Sequence, residues 1–120
     1  MKVAVTAEGR EPGSPIDPRF GRGRFFVVVD TETGEYTAAD NTQNLNAVQG
    51  AGIQAGRNVV ELGVQAVITG HVGPKAFSTL RAGGVKVHTG ATGTVADAVA
   101  QYKAGKLKLA ESADVEGHWV

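Results

Sequence analysis

The apolar run Ala66-Val67-Ile68-Thr69 leads directly into Gly70-His71-Val72-Gly73-Pro74-Lys75, and that junction leaves little choice of local structure. Gly73 and Pro74 suit the N-cap and first position of a helix, where the missing proline N–H costs nothing and φ is already helical. The join is therefore a strand, a tight glycine-rich loop and a helix start. A chain built on such joins is α/β. Each join aims free backbone N–H groups and the positive end of a helix dipole past the end of the strand. His71 and Lys75 stand in the same loop, so an anionic or metal-containing ligand is the first chemistry to consider.

The rest of the chain extends that pattern. Val3 and Val5 lie in a short first strand that ends near Thr6, and residues 8–24 form a long loop rich in Gly, Pro and charge, of the kind that often carries function in compact domains. Arg24 to Asp30 is a near-continuous apolar strand. Asp30-Thr31-Glu32-Thr33-Gly34 supplies turn chemistry, and Glu35 to Asp40 returns as the second arm of a hairpin. Asn46 and Gln49 suggest a capping box before a helix running to about Leu62, with Gly63 as its C-cap. After the Ala66–Thr69 strand, a second helix runs from Pro74 to about Ala82 and stops at Gly83-Gly84. Val85-Lys86-Val87 is the fifth strand. A second glycine-rich loop, His88 to Gly93, leads to Thr94, which with Asp97 caps a helix to about Tyr102. Residues 1–104 read as one α/β domain. Residues 105–120 read as a C-terminal tail in which Leu107 and Leu109 are candidates for a short edge piece, and which ends in His118-Trp119-Val120.

Right-handed crossovers make the first, fourth and fifth strands parallel neighbours and put the hairpin on the far side of the first. The expected sheet is mixed and five-stranded, in the order 3-2-1-4-5 with strand 2 antiparallel and helices on both faces. The boundary between strands 1 and 4 is a topological switch point, where open α/β sheets bind ligands beyond the carboxyl ends of their strands. Loops 7–24, 70–75 and 88–94 converge there. They bring Arg10, Arg19, Arg22, Arg24, His71, Lys75 and His88, hydroxyls from Ser14, Thr89, Thr92 and Thr94, and two helix N-termini. Asp17 and Arg19 also suit an ordinary turn closed by their own ion pair.

Composition narrows the chemistry. Cysteine is absent from the 120 residues, which removes disulfides, thiolate metal sites and cysteine nucleophiles together. Twelve Lys plus Arg balance twelve Asp plus Glu, so nothing overall draws the chain to nucleic acid or membrane. No run approaches the ~18 apolar residues of a membrane span, and the start lacks the apolar core of a signal peptide, so the chain reads as cytoplasmic. Neither a nucleophile elbow nor His-Glu-x-x-His is present, and the glycine loops match neither G-x-G-x-x-G nor the P-loop. What remains is a binder rather than an enzyme.

Ile16-Asp17-Pro18-Arg19-Phe20-Gly21-Arg22 before an aromatic-starting strand, then Gly50-Ala51-Gly52, Val67-Ile68-Thr69-Gly70 with Gly73-Pro74-Lys75-Ala76-Phe77, and Gly84-Val85-Lys86-Val87, together resemble the dinitrogenase iron–molybdenum cofactor biosynthesis family over residues 1 to about 104. Within that family the chain is most similar to the orange-protein branch. The resemblance implies a ribonuclease-H-like three-layer fold and a non-enzymatic carrier or assembly scaffold for an anionic metal–sulfide cluster. It implies a molybdenum–copper sulfide cluster held without cysteine, with an iron–molybdenum cluster ranked second, and a client metalloprotein as a candidate partner. The contacts expected are Arg19, Phe20, Gly21, Arg22, Gly70, His71, Gly73, Lys75, Gly90, Thr92, Gly93 and Thr94, with His71 and His88 as candidate metal ligands. The alternative on the same helix starts is a phosphate or nucleotide-binding regulatory module, and a third is an interacting subunit that uses the hairpin edge.

Overall fold

The structure is a computed structural model that describes residues 1–42 and 50–115. The strands are β1 (Lys2–Ala7), β2 (Phe25–Asp30), β3 (Tyr36–Asp40), β4 (Ala66–Ile68), β5 (Lys86–Thr89) and β6 (Lys108–Leu109), and the helices are α1 (Ala51–Glu61), α2 (Pro74–Ala82) and α3 (Val95–Lys103). They form one sheet in the order β3-β2-β1-β4-β5-β6. β1, β4 and β5 are parallel, and β2 is antiparallel to both β1 and β3. The order 3-2-1-4-5 is thus observed, and the count of five is corrected to six. The sixth strand pairs Leu109 with His88 and Lys108 with Thr89, antiparallel to β5. Two residues are too few to show a period of their own, and this strand exists because β5 offers an open edge.

Period-two alternation divides the sheet's side chains between two cores. Ala4, Phe26, Val28, Val67 and Val87 face α1 and α2, packing with Ala55, Val59, Ala76 and Leu80. Val3, Val5, Val27, Val29, Ala66 and Ile68 face the other way, packing with Val95, Ala98 and Val99 of α3. Helices on both faces are therefore present. Gly56 sits where α1 meets α2, and a Cβ there would lie 2.9 Å from Thr79.

Several local readings are realised. Gly73 is the N-cap of α2 with Pro74 at its first position, and Thr94 with Asp97 forms a complete capping box on α3. The hairpin turn is held by Asp30, whose carboxylate accepts the N–H groups of Glu32 and Thr33 at 2.8 and 3.2 Å. Those bonds hold its pKa below the ordinary carboxylate value. Helix α1 starts at Ala51 with Gly50 as N-cap. The capping box read at Asn46 and Gln49, and the His118-Trp119 end, lie outside the described residues. Among the described residues no helix is long and apolar enough to cross a membrane.

Candidate functional site

Because β3 runs parallel to β1, β4 and β5, four strands end at one edge of the sheet. The loops that leave this edge are sewn together by main-chain hydrogen bonds. The His71 N–H donates to Pro18 O at 2.7 Å and the Phe20 N–H to His71 O at 3.2 Å, so residues 18–20 run beside 70–72 as a short parallel bridge. The Gly90 N–H donates to Gly70 O at 3.0 Å and the Ala91 N–H to Thr69 O at 3.3 Å. The Ile16 N–H reaches Gly93 O at 3.0 Å, closing the circuit. The three loops expected to converge do meet. Gly70 permits it, since a Cβ there would stand 2.8 Å from both Cα and O of Pro18. A fourth loop joins them through Asn41, which is buried, donates Nδ2–H to Gly23 O at 2.7 Å and accepts from Asn58.

The side chains sort into those that line this edge and those that build it. Phe20 is fully buried, with its ring 5.7 Å from that of Phe26, so its side chain belongs to the core, and Gly21 beside it is buried too. Arg19 and Arg22 flank them and are exposed. The Asp17–Arg19 turn read from sequence is present: the Asp17 carboxylate accepts the Arg19 N–H at 2.9 Å and lies 4.0 Å from its Nε. Arg10 is committed elsewhere, paired with Asp40 at 3.0 Å and stacked on Phe25 at 4.7 Å. Arg22 and Lys75 form no ion pair among the described residues.

The helix starts differ from expectation. The first N–H groups of α3 are spent inside the protein: Val95 donates to Ser14 O, Ala96 to Pro12 O and Asp97 to Thr94 Oγ1. The capping box and the 12–14 segment therefore close this end. Thr92 is likewise held, its N–H and its carbonyl both bonded to the Gln101 side chain. Gly90, Thr92, Gly93 and Thr94 belong to the loop that runs from β5 into α3, with Gly90 and Gly93 at φ +88° and +86°. The start of α2 differs: among the described residues Gly73 supplies no side-chain cap, and the first-turn N–H groups have no helical acceptor. Helix α1 packs against the turn at Phe20–Arg22, with Ala55 and Val59 in the same core cluster as Phe20.

The two histidines have different surroundings. His88 is partly buried on the α3 side, edge-on to Tyr102 with ring centroids 4.8 Å apart. Burial pushes its pKa below the ordinary imidazole value and the Lys86 charge adds to that. His71 is half-exposed, with Nδ1 3.0 Å from Asp114 Oδ2. The other oxygen of Asp114 accepts the Val72 N–H at 2.7 Å. Asp114 was not legible in advance, because it lies 43 residues from His71 in a stretch without periodicity. Among the described residues no three His, Cys, Asp or Glu side chains cluster as a metal site. Among the described residues, two buried hydroxyls, of Thr6 and Thr69, have no hydrogen-bond partner. They sit at the ends of β1 and β4, one step beyond the Val5–Ile68 pair.

A family model described as dinitrogenase iron–molybdenum cofactor matches residues 1–105. The chain is similar to the apo form of the orange protein from Desulfovibrio gigas, with 40% identity over 95% of this chain and 96% of that one and a TM-score of 0.88. It is similar to a Thermotoga protein of the DUF35 family solved by NMR, with 32% identity over 97% and 98% of the two chains and a TM-score of 0.79. An uncharacterised protein of Methanocaldococcus jannaschii is 28% identical over 113 residues, 92% of each chain.

Proposed function

From the premise that this chain belongs to the dinitrogenase iron–molybdenum cofactor family, we propose that it is a non-enzymatic carrier or assembly scaffold for an anionic metal–sulfide cluster of the molybdenum–copper type. Membership and the likeness to the orange protein support a cofactor-binding or carrier role. The observation that carries the finer reading is the sewn edge itself. Three loops are fixed to one another by their backbones, and what they leave facing outward is Arg19, Arg22, Lys75 and the start of α2, which has no side-chain cap.

A thiomolybdate-type cluster is a bulky anion with sulfide acceptors on its surface. Backbone N–H groups and delocalised guanidinium forks suit it, because they donate several hydrogen bonds without demanding covalent attachment. Soft Cu(I) prefers sulfur ligands, and with no cysteine in the chain that sulfur comes from the cluster. Arg19, Arg22, Gly70, His71, Gly73 and Lys75 are the proposed contacts, and a client metalloprotein is the proposed recipient. Addition of Cu(I) and tetrathiomolybdate to the apo-protein without oxygen should give a charge-transfer absorption that stays with the protein through a desalting column. Colour that elutes with small molecules, or forms equally on an unrelated basic protein, overturns this reading. The uncapped α2 start with Lys75 also favours phosphate. For that second reading, nucleotides must raise the melting temperature.

A further inference from the structure

Resting on that reading, we propose that the Val72 N–H at the entry to α2 is an anion subsite which the chain's own Asp114 occupies, so that cargo enters by displacing residues 110–114. The contact is a carboxylate held where an anion belongs. Asp114 Oδ1 takes the Val72 N–H at 2.7 Å, and Oδ2 lies 3.0 Å from Nδ1 of His71. Both contacts fall in the loop that ends at Gly73, the N-cap of α2, where the positive end of the helix dipole favours negative charge. One N–H does not serve two acceptors equally, and a second negative charge brought beside Asp114 meets repulsion. A sulfide-covered anion that settles on this loop therefore competes with the carboxylate.

Little else holds the segment down. Across residues 108–114 no side chain is buried, and among the described residues Glu111, Ser112 and Ala113 make no hydrogen bond. The described backbone bonds stand at the two ends, from the Ala110 N–H to Val87 O at 2.8 Å and from the Asp114 N–H to Val72 O at 3.2 Å. Two grooves adjoin the segment, one of about 470 Å³ lined by Phe77, Arg81 and Leu109, the other of about 410 Å³ lined by Thr89 and residues 108–114. Segments with few buried contacts and exposed hydrogen bonds open at low free energy. The loop they cover is the fixed partner, since the His71 N–H is bonded to Pro18 O and its carbonyl accepts the Phe20 N–H. The strap also lies beyond residues 1–105, the core that the family model matches. Asp114 is thus a latch on the site, and a latch closed about nine times in ten weakens the apparent affinity for cargo about tenfold.

The test compares the full wild-type chain with Asp114→Asn and Asp114→Ala, titrated without oxygen with the anion formed from Cu(I) and tetrathiomolybdate and followed by its charge-transfer absorption. A latch and a structural clamp predict opposite signs. Asp114→Ala should bind about tenfold more tightly than wild type, and Asp114→Asn, which keeps an acceptor for the Val72 N–H but no charge, should fall between the two. Unchanged or weaker binding by an Asp114→Ala protein with wild-type far-UV circular dichroism overturns the proposal and leaves the carrier reading standing. A second measurement needs no variant. In wild type the nuclear Overhauser contact between the Val72 N–H and the Asp114 β-protons should be present in the apo-protein and absent once the anion is bound, and its persistence in the loaded protein overturns the proposal. If neither wild type nor variant holds the chromophore, the carrier reading fails and inorganic phosphate becomes the probe. A Val72 amide resonance that shifts at lower phosphate concentration in Asp114→Ala than in wild type then sustains the latch, and the lack of any such difference overturns it.

Discussion

At Gly70 the absence of one methyl group decides whether two loops can touch. The loop was legible in the sequence as a strand-to-helix join, but its need for glycine came from Pro18, 52 positions away, whose Cα and carbonyl oxygen approach to 2.8 Å of a built Cβ. Gly70→Ala should destabilise the fold by about 1–3 kcal/mol, as overpacking of a tight contact does, with a lower urea midpoint as the measurement, and should loosen the bond from the His71 N–H to Pro18. His88 makes a separate prediction. Its pKa is lowered in the folded state, first by burial and then by Lys86, so the unfolded chain takes up the proton more readily. Its contribution to stability is whole above about pH 6.5, the unfolded value, and is lost as pH falls through that range. Urea midpoints of wild type should therefore drop between about pH 7.5 and about pH 5.5 more than those of His88→Phe, which keeps a ring against Tyr102 but cannot titrate. Equal drops would contradict this.

At the scale of elements, local chemistry was readable and long-range pairing was not. The Gly73-Pro74 start of α2 and the Thr94–Asp97 box of α3 both stand in the structure as their spacing implies. Whether a helix start is open to a ligand depends on what folds over it, and Pro12 and Ser14 come from far upstream in the chain to use the α3 N–H groups. The donor role expected of that helix stays with the start of α2 at Gly73 and Pro74. The strand β6 and the Asp114 clamp share this character, each being defined by its partner. Thr94→Ala removes the cap and should cost roughly 0.5–2 kcal/mol in denaturant unfolding. Because α3 lies on the face away from α1 and α2, the substitution should leave cluster retention unchanged, and a large loss of retention would assign α3 a direct part in binding.

For the whole molecule, the neutral balance of charge hides an uneven distribution. Sheet order gathers Arg19, Arg22, His71 and Lys75 at the one edge where parallel strands end, and this convergence was legible because right-handed crossovers fix which loops share an edge. The assignment of His88 to that group is not supported by its placement against Tyr102, since alternation turns it toward α3 while its neighbour Val87 faces the other core. The central claim is that this edge carries a preformed metal–sulfide anion. Elemental analysis of the protein purified without oxygen from its own host tests it most directly. Molybdenum and copper, with inorganic sulfide, should co-elute with the protein in a fixed ratio. Protein carrying bound phosphorus and no molybdenum, copper or iron would contradict the claim and turn the α2 start over to a nucleotide.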